Sequence, residues 1–407
     1  MMYVPEFVAL YEIFPYIEYL ALDNESIRVA VKDYLEGGEL KDVIIKKYGK
    51  IEDWNTSEVT DMSYLFGMAE HFNENISEWD TSKVTDMNKM FCGAENFNQP
   101  IGKWDTSKVT NMYGMFSDSE SFNQPIGEWD TSKVTNMECI FFNAESFNQD
   151  IRDWNTSNVI NMKGMFCGAK NFNQHIGEWD TSKVTNMECM FCGVKNFNQH
   201  IGKWYTSNVI NMGCIFSNAE SFNQPIGEWD TSNVIYMDGM FEFAFNFNQP
   251  IEKWNTSNVT NMLAMFSYAE NFNENISEWD TSKVTNMSVM FYNAYNFNQD
   301  ISKWDTSSVT TMEYMFGGAK SFNQSIGEWD TSNVTHMSMM FCNAYCFNQP
   351  IGKWNLSNVF DMSNMFEDAK SFNQPIGGWD TSKVTRMYRI FYKADNFNLE
   401  NAPWYHE

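Results

Sequence analysis

Residues 104–128, WDTSKVTNMYGMFSDSESFNQPIGE, are one unit of a 25-residue repeat that decides the fold of this chain. All 15 tryptophans of the 407-residue sequence lie on one series, which runs Trp54, Trp79, Trp104 and onward every 25 residues to Trp404. Strict self-similarity at such a period is typical of a solenoid, in which each unit stacks on its neighbours. The 15 tryptophans enclose 14 intervals, so the sequence predicts a solenoid of about 14 coils.

The apolar composition follows the same period. With tryptophan numbered as position 0 of each coil, positions 8 and 11 hold 24 of the 28 methionines, and positions 12 and 18 hold 28 of the 34 phenylalanines. One coil cannot bury its apolar side alone, so we expect the stacked coils to share one core. We therefore place Met112, Phe116, Trp104 and Trp129 in buried columns, and we interpret the many methionines as core filling rather than as metal ligands.

Local spacing within a coil gives a first view of its secondary structure. Positions 5, 8, 11, 12 and 15, from Val109 to Ser119, are three and four residues apart, which predicts about two turns of helix. The stretch Phe122 to Trp129 has Pro and Gly around a β-branched Ile, which predicts a turn and a short strand. Whether the Val-Thr-Asn-Met segment is strand or first helical turn stays open at this stage.

Polar positions also repeat, and stacking converts them into ladders. Position 19 is always asparagine, so Asn98, Asn123 and Asn148 are expected to satisfy one another and the backbone of the turn. Position 1 is Asp in nine coils and Asn in four. A calcium ladder needs charge, whereas capping of the following amides does not, so we favour Asx capping over metal binding. Position 24 alternates Glu and Lys from residue 178 to residue 353, which predicts exposed ion pairs.

Residues 1–50 lie outside the period and are expected to form a helical cap over the first coil. Asn24 or Ser26 is predicted to cap the start of a helix that runs through about Tyr34, with Ile27, Val31 and Leu35 as its apolar stripe. A second helix is predicted from Glu39 to Tyr48, ending at Gly49.

Charge and motif content exclude several classes of function. The chain has 27 basic and 53 acidic residues and a formal charge of −26, which argues against a nucleic-acid partner. No apolar run reaches the roughly 20 residues of a membrane helix. The sequence has no phosphate loop, nucleophile elbow or zinc-protease motif, so we expect neither an enzyme nor a cofactor.

Localisation is indicated by two features that point the same way. Glu6, Glu12 and Glu18 interrupt the early apolar stretch, so no secretory signal is expected. Seven of the eight cysteines lie at positions 10 or 13 of their coils, and we interpret them as free thiols of a reducing compartment. Both features favour a cytoplasmic protein.

The repeat W-D-T-S-x-V-T-x-M-x-x-M-F-x-x-A-x-x-F-N-Q-x-I resembles the BspA-like leucine-rich-repeat surface proteins over residues 51 to about 403. The resemblance implies a right-handed, leucine-rich-repeat-like parallel β-solenoid of the α/β class, with 404–407 as a C-terminal tail. It also implies a non-enzymatic role in protein recognition or adhesion, and a cell or particle surface as an alternative location.

Residues 4–20 carry a shorter resemblance, to the first helix of an F-box, through Pro5, Glu6, Ile13, Phe14 and Tyr16. That resemblance implies an intracellular adaptor that recruits ubiquitin-ligase machinery. A structural component of a particle or envelope is the third hypothesis. The partner under the first two hypotheses is a protein.

Overall fold

The computed structural model describes residues 20–406, in which two helices lead into a long stack of coils. Helix α1 spans Asn24–Glu36 and helix α2 spans Gly38–Tyr48. A single 3₁₀ turn, Ile51–Asp53, joins α2 to the first coil, and another, Leu399–Asn401, lies near the end of the last coil. None of the helices in this part of the chain is long and apolar enough to cross a membrane.

The coils stack in register through one column of residues at position 7. Parallel β-bridges join neighbouring coils from the pair Asp61–Asp86 to the pair Asp361–Arg386. They link the same 14 coils that the tryptophan series predicts. Within residues 20–406 these bridges stay isolated and none extends into a strand, so the expected parallel sheet is reduced to a single ladder.

The short strand predicted between Phe122 and Trp129 is therefore wrong. The carbonyl of Ile126 accepts hydrogen bonds from the backbone N–H of Trp129 at 3.3 Å and from the indole of Trp154 at 3.0 Å. Because the carbonyl is used within the coil and by a side chain, it is not free to build a strand ladder.

The helical stripe predicted from position 5 to position 15 is also wrong, and consecutive turns take its place. Positions 10 and 14 have φ between 52° and 74° in every coil, as at Cys139 and Asn143. A right-handed helix cannot contain such left-handed residues. Short bonds over three residues, such as Phe142 N–H to the Cys139 carbonyl at 3.1 Å, close the turns. Consecutive turns bring positions 8, 12 and 15 to one side, which imitates helical spacing.

The remaining N–H groups of these turns bond to the next coil. The N–H groups at positions 8, 10, 12 and 14 donate to the carbonyls at positions 7, 9, 11 and 13 of the following coil. In one junction the pairs are Met137 to Asn161 at 3.1 Å, Cys139 to Lys163 at 2.8 Å, Phe141 to Met165 at 2.9 Å and Asn143 to Cys167 at 2.7 Å. All four bonds, which we call the rungs, run in the same direction along the stack.

The core consists of aromatic columns that run the length of the stack. The rings of Phe116 and Phe122 stack 3.9 Å apart within one coil, and Phe116 lies 5.7 Å from Phe141 of the next. The indoles of Trp129 and Trp154 lie 6.5 Å apart. Met112 and Phe116 are fully buried and Trp104 and Trp129 nearly so, which places these four residues in the core.

Helix α1 begins one residue earlier than the sequence suggests, because Asp23 is its N-cap. The Asp23 carboxylate accepts the N–H groups of Glu25 and Ser26, and the Ser26 hydroxyl accepts the N–H of Asp23. Asn24 instead fastens the helix to the first coil, since its side chain donates to the Thr60 hydroxyl at 2.9 Å and accepts the Thr60 N–H at 2.8 Å.

The buried face of α1 differs from the predicted stripe at one residue. Ile27, Ala30, Val31 and Tyr34 are buried, whereas Leu35 is 42% exposed. Tyr34 replaces Leu35 because its ring packs edge-on against Trp54, the first indole of the column, at 5.8 Å. Helix α2 starts one residue before the predicted Glu39 and ends at the predicted Tyr48.

The C-terminal segment closes part of the last coil. Trp404, which the sequence places in a tail, continues the indole column at 5.9 Å from Trp379 and donates its Nε1–H to the Ile376 carbonyl at 2.9 Å. Tyr405 packs edge-on against Phe391 at 5.3 Å. The F-box-like residues Pro5, Ile13 and Phe14 lie outside the described residues.

Candidate functional site: a groove on the bridge face

The side of the solenoid that carries positions 4 to 7, here called the bridge face, presents a regular polar surface interrupted by isoleucines. Position 6 is threonine in most coils, and its hydroxyl donates to the position-6 carbonyl of the preceding coil, as from Thr310 to Thr285 at 3.0 Å. Isoleucine replaces threonine at Ile160, Ile210 and Ile235. Ile160 is 48% exposed and Ile210 is 44% exposed, so their methyl groups face solvent.

These isoleucines lie in an open groove of about 950 Å³. Its other residues come from positions 4 and 6 of these and neighbouring coils: Lys183, Thr185, Asn208, Asn233, Asn258, Thr260 and Lys283. We call this set, with the three isoleucines, the bridge-face groove.

Backbone hydrogen bonds fix the asparagines of the groove. The side-chain amides of Asn208, Asn233 and Asn258 donate to position-3 carbonyls of the preceding coils, at 2.7, 2.7 and 2.8 Å. Within residues 20–406 the side-chain carbonyls of Asn208 and Asn233 accept no hydrogen bond, which leaves them as acceptors for a ligand. The groove is therefore a rigid apolar strip with fixed polar groups beside it.

Two ammonium groups flank this strip. Lys283 donates to the side-chain carbonyl of Asn258 at 2.7 Å, and Lys183 donates to that of Asn158 at 2.6 Å. Among the residues that the structure describes, no carboxylate lines the groove, although the chain as a whole is strongly acidic. The groove thus offers methyl groups, amides and ammonium groups, which suit recognition of a surface; it holds no acid–base or nucleophilic pair.

A second feature, a cluster of aromatic rings, lies on the side of the turns. Phe243 stacks on Tyr268 at 4.4 Å, and Tyr268, Tyr292 and Tyr314 follow edge-on at 5.3 and 5.6 Å. Burial raises the pKa of Tyr292 and of Tyr314, so both phenols stay neutral over the physiological range. The rings are half-buried against one another, so we interpret their contacts with one another as packing that stabilises the turns and not as a binding surface.

The cysteines lie on the same side and are free. Burial raises the pKa of Cys139 and of Cys342 to about 11. The thiol of Cys192 lies against those of Cys167 and Cys189, and these contacts, followed by burial, raise the pKa of both neighbours. The contacts with Cys167 and then Cys189 lower the pKa of Cys192 itself, so only the thiols with a raised pKa, such as Cys139 and Cys342, are poor nucleophiles and poor ligands. Within the described residues no group of three or more His, Cys, Asp or Glu side chains is placed to hold a metal ion.

The predicted polar ladders are present with defined geometry. The side-chain carbonyl of Asn98 accepts the backbone N–H of Asn123 at 2.9 Å, and that of Asn123 accepts the N–H of Asn148 at 3.0 Å. The Asx capping interpretation of position 1 is confirmed, since Asp130 Oδ1 accepts the N–H of Ser132 at 2.9 Å. The ion pairs of position 24 form as Lys203 to Glu178 at 2.9 Å and its equivalents.

Sequence reasoning missed the bridge-face groove. The signal was present, because three isoleucines replace threonine in one column within four coils. It became meaningful only once the structure placed position 6 on an exposed face.

Comparison with known proteins identifies a matching family model. A family model described as "Mycoplasma protein of unknown function, DUF285" matches residues 40–154, 135–252, 215–328 and 322–407, which together span the repeats and α2. No curated protein matches the sequence. A solved structure described as a TLR13–ssRNA13 complex is similar at 10% identity and a TM-score of 0.21, over 79% of this chain. This chain spans about half, 49%, of the length of that one.

The family model thus matches most of the chain in four tandem segments, as expected for a protein built from repeats of one unit. The chain belongs to the DUF285 family of repeat proteins.

Proposed function

We propose that this protein is a non-enzymatic recognition solenoid that binds a protein partner through the bridge-face groove. The observation that carries the proposal is the apolar strip of Ile160, Ile210 and Ile235, of which the first two are exposed, in a column that is threonine in ten of the 14 coils. Exposed apolar groups on a rigid surface, rimmed by polar groups, are typical of protein-binding sites. Where the partner is displayed on another cell or particle, the same contact produces adhesion.

The repeat architecture supports this role. Each coil contacts only its neighbours, so the core residues fix a scaffold while the outer positions vary without disturbing it. We also propose that the solenoid winds in the right-handed sense, as the resemblance to BspA-like leucine-rich-repeat proteins implies. No nucleic-acid partner is proposed, because a chain with a charge of −26 repels phosphate backbones.

The test uses the full chain as bait in selection from a displayed peptide library, followed by affinity measurement on the selected peptides. The triple variant Ile160→Thr, Ile210→Thr, Ile235→Thr removes the apolar strip and installs the residue that ten of the other 11 coils carry. We expect the selected peptides to bind this variant about tenfold more weakly or worse, a loss of about 1.4 kcal/mol or more.

The matched control is Phe360→Thr, which removes an exposed apolar side chain from the same column outside the groove. It should leave the affinity unchanged. Equal binding by the wild type and the triple variant, or selection of no peptide at all, would refute the proposal for this groove.

A further inference from the structure

A notch of about 480 Å³ lies at the edge of the bridge face, between three neighbouring coils. It follows from the residue sizes at position 9, where Ser288 stands between Leu263 of the preceding coil and Glu313 of the following one. Because equal positions stack about 5 Å apart, the short serine leaves space between its two larger neighbours. The notch shares no residue with the bridge-face groove, so what it binds does not rest on the function proposed for that groove.

The backbone fixes the walls of this notch. Val289 and Tyr314, at position 10, have left-handed φ angles of 57° and 54°. Their N–H groups form rungs to the Glu313 carbonyl at 2.8 Å and to the Ser338 carbonyl at 2.9 Å. The notch is therefore preformed, and a ligand that enters it does not have to order a flexible loop.

Two tyrosine rings line the notch without a cation of their own. The rings of Tyr292 and Tyr314 pack edge-on at 5.6 Å, and the parts that this contact leaves exposed face the notch. Within residues 20–406 no ammonium or guanidinium group lies over either ring. Elsewhere the chain covers a tyrosine with its own cation, since the Lys320 ammonium lies 3.8 Å from the ring of Tyr295.

Glu313 is the only charged side chain that lines the notch in the described part of the chain. Its Oε1 accepts the Ser338 hydroxyl at 3.0 Å, whereas among residues 20–406 its Oε2 accepts no hydrogen bond and the carboxylate forms no ion pair. Another glutamate of the position-9 column has an internal cation, because Lys163 pairs with Glu188 at 3.0 Å. The neighbours of Glu313 in this column are serines, so its charge is left uncompensated.

Two hydroxyl groups add further acceptors. The hydroxyls of Ser288 and Thr311 are hydrogen-bonded to each other at 2.8 Å, and Ser288 is only 6% exposed. Asn286 Oδ1 accepts the Ser288 N–H at 2.9 Å, which holds the serine in place. Each hydroxyl has two acceptor lone pairs, so their mutual bond leaves lone pairs for a ligand that donates hydrogen bonds.

The first coil shows an arginine held at the same positions. The Arg28 guanidinium of α1 donates through Nη2 to the Ser63 hydroxyl at 3.0 Å and pairs with the Asp61 carboxylate at 3.0 Å. Ser63 and Asp61 stand at positions 9 and 7 of their coil. A serine hydroxyl and a carboxylate, the groups that hold Arg28, are also the groups that the notch presents.

From these observations we propose that the notch binds an arginine side chain of a partner protein. The guanidinium pairs with Glu313, donates to the hydroxyl of Ser288, and lies against the exposed parts of the two tyrosine rings. The aliphatic part of the arginine packs on Leu263 and Val289, which supply the apolar surface of the notch.

The chemistry of the notch separates arginine from other ligands. An anion would be repelled by Glu313, and a neutral group would leave that charge without a partner. An ammonium group is a compact point charge that does not stack flat against a ring or offer a planar fork of donors, so lysine should bind more weakly than arginine. The net charge of −26 adds a general attraction for a basic partner.

The experiment titrates the full chain against the end-blocked tripeptide Gly-Arg-Gly, with ligand-observed NMR as the measure of affinity. The same titration is made with lysine and with citrulline in place of arginine. Citrulline carries a neutral urea group of nearly the same shape as guanidinium. We expect arginine to bind most tightly, and citrulline to bind at least about fivefold more weakly.

Two variants test the notch itself. Glu313→Gln removes the charge and keeps the size of the side chain, and it should weaken arginine binding by about fivefold. Ser288→Leu fills the notch with the residue that the preceding coil carries at the same position, and it should abolish binding.

The matched control is Glu138→Gln, which makes the same change at position 9 of a coil outside the notch and should leave the affinity unchanged. The triple isoleucine variant of the bridge-face groove should also bind the arginine peptide as the wild type does, so failure of one site is distinguishable from failure of the other. The proposal is overturned if the arginine peptide does not bind, or if it binds no more tightly than the citrulline peptide. It is also overturned if Glu313→Gln binds as the wild type does, or if Glu138→Gln weakens binding equally.

Discussion

The side-chain carbonyl of Asn223 accepts the backbone N–H of Asn248, one coil further along the chain, at 3.0 Å. The same oxygen accepts the side-chain amide of Gln249 at 3.0 Å. Asn223 thus satisfies a backbone N–H group that has no backbone carbonyl as its acceptor. Replacement of Asn223 by Ala should destabilise the array by about 1–3 kcal/mol, because it leaves these donors without an acceptor.

Urea unfolding and hydrogen exchange at Asn248 measure this effect, and the exchange should become faster locally. The control is Asn246→Ala, which removes an exposed amide bonded to the Glu220 carbonyl at 2.8 Å. That change should cost only a few tenths of a kcal/mol, since water can replace the bond. Equal effects of the two substitutions would contradict a special role for position 19.

The aromatic columns predict a difference between inner and terminal coils. Phe216→Ala removes a fully buried ring from an inner coil and should cost about 3–5 kcal/mol. Phe391→Ala removes the equivalent ring from the last coil, where it is only partly buried, and should cost clearly less. Urea unfolding of both variants tests this order, and a reversed order would contradict the partial burial of Phe391.

The left-handed turn positions predict a stabilising substitution. Ala264 has φ of 54°, a conformation that costs an L-residue about 1–2 kcal/mol and costs glycine almost nothing. Ala264→Gly should therefore raise the free energy of unfolding, by up to about 1 kcal/mol after the added entropy of the unfolded chain is subtracted.

The opposite substitution at position 14 should be damaging. Gly168 has φ of 74°, and a Cβ atom there would lie 2.1 Å from the Asn143 side-chain oxygen. Gly168→Ala should lower the midpoint of thermal unfolding, whereas Ala264→Gly should raise it. If both variants unfold at the wild-type temperature, these turns are not held in the left-handed region in solution.

The Asx caps predict how stability depends on acid. The Ser132 hydroxyl, and then its backbone N–H, bond the Asp130 carboxylate and hold its pKa below the usual value. The same causes lower the pKa of Asp180, Asp230 and Asp280. A carboxylate with a lowered pKa stabilises the fold above the pKa of the unfolded chain, about 3.9, and this contribution is lost as pH falls through the folded value.

Replacement of these four aspartates by asparagine should keep the caps, as Asn155 does through its bond from the Ser157 N–H at 3.1 Å. The variant should therefore unfold at a lower pH than the wild type in an acid titration followed by tryptophan fluorescence. A control with Gln at the exposed residues Glu39, Glu95, Glu120 and Glu252 makes the same charge change without altering a cap. An equal shift in the control would show that net charge alone is responsible.

The sequence predicted the architecture because identity at fixed positions implies identical environments. The columns of Trp129, Phe116 and Met112, the asparagine ladder and the caps at position 1 all follow from stacking equal positions. The local conformation could not be predicted in the same way. A helix and a run of consecutive turns both place positions 8, 12 and 15 on one side, so spacing alone does not separate them.

The residue types at the turns did not distinguish consecutive turns from a helix. Cys139, Val289 and Lys393 occupy left-handed positions that usually favour glycine, and only stacking against neighbouring coils holds them there. The bridge-face groove was missed for a related reason. Isoleucine at positions 160, 210 and 235 has no meaning until it is known which face position 6 occupies.

The rungs also determine how the molecule responds to force. They lie along the axis of the stack and act in series, so tension applied between its two ends puts the same force on every junction. The coils should come away one at a time, and each event should release roughly 80–90 Å of extended chain. The protein would then act as an extensible tether that yields in equal steps, and single-molecule stretching would count its coils directly.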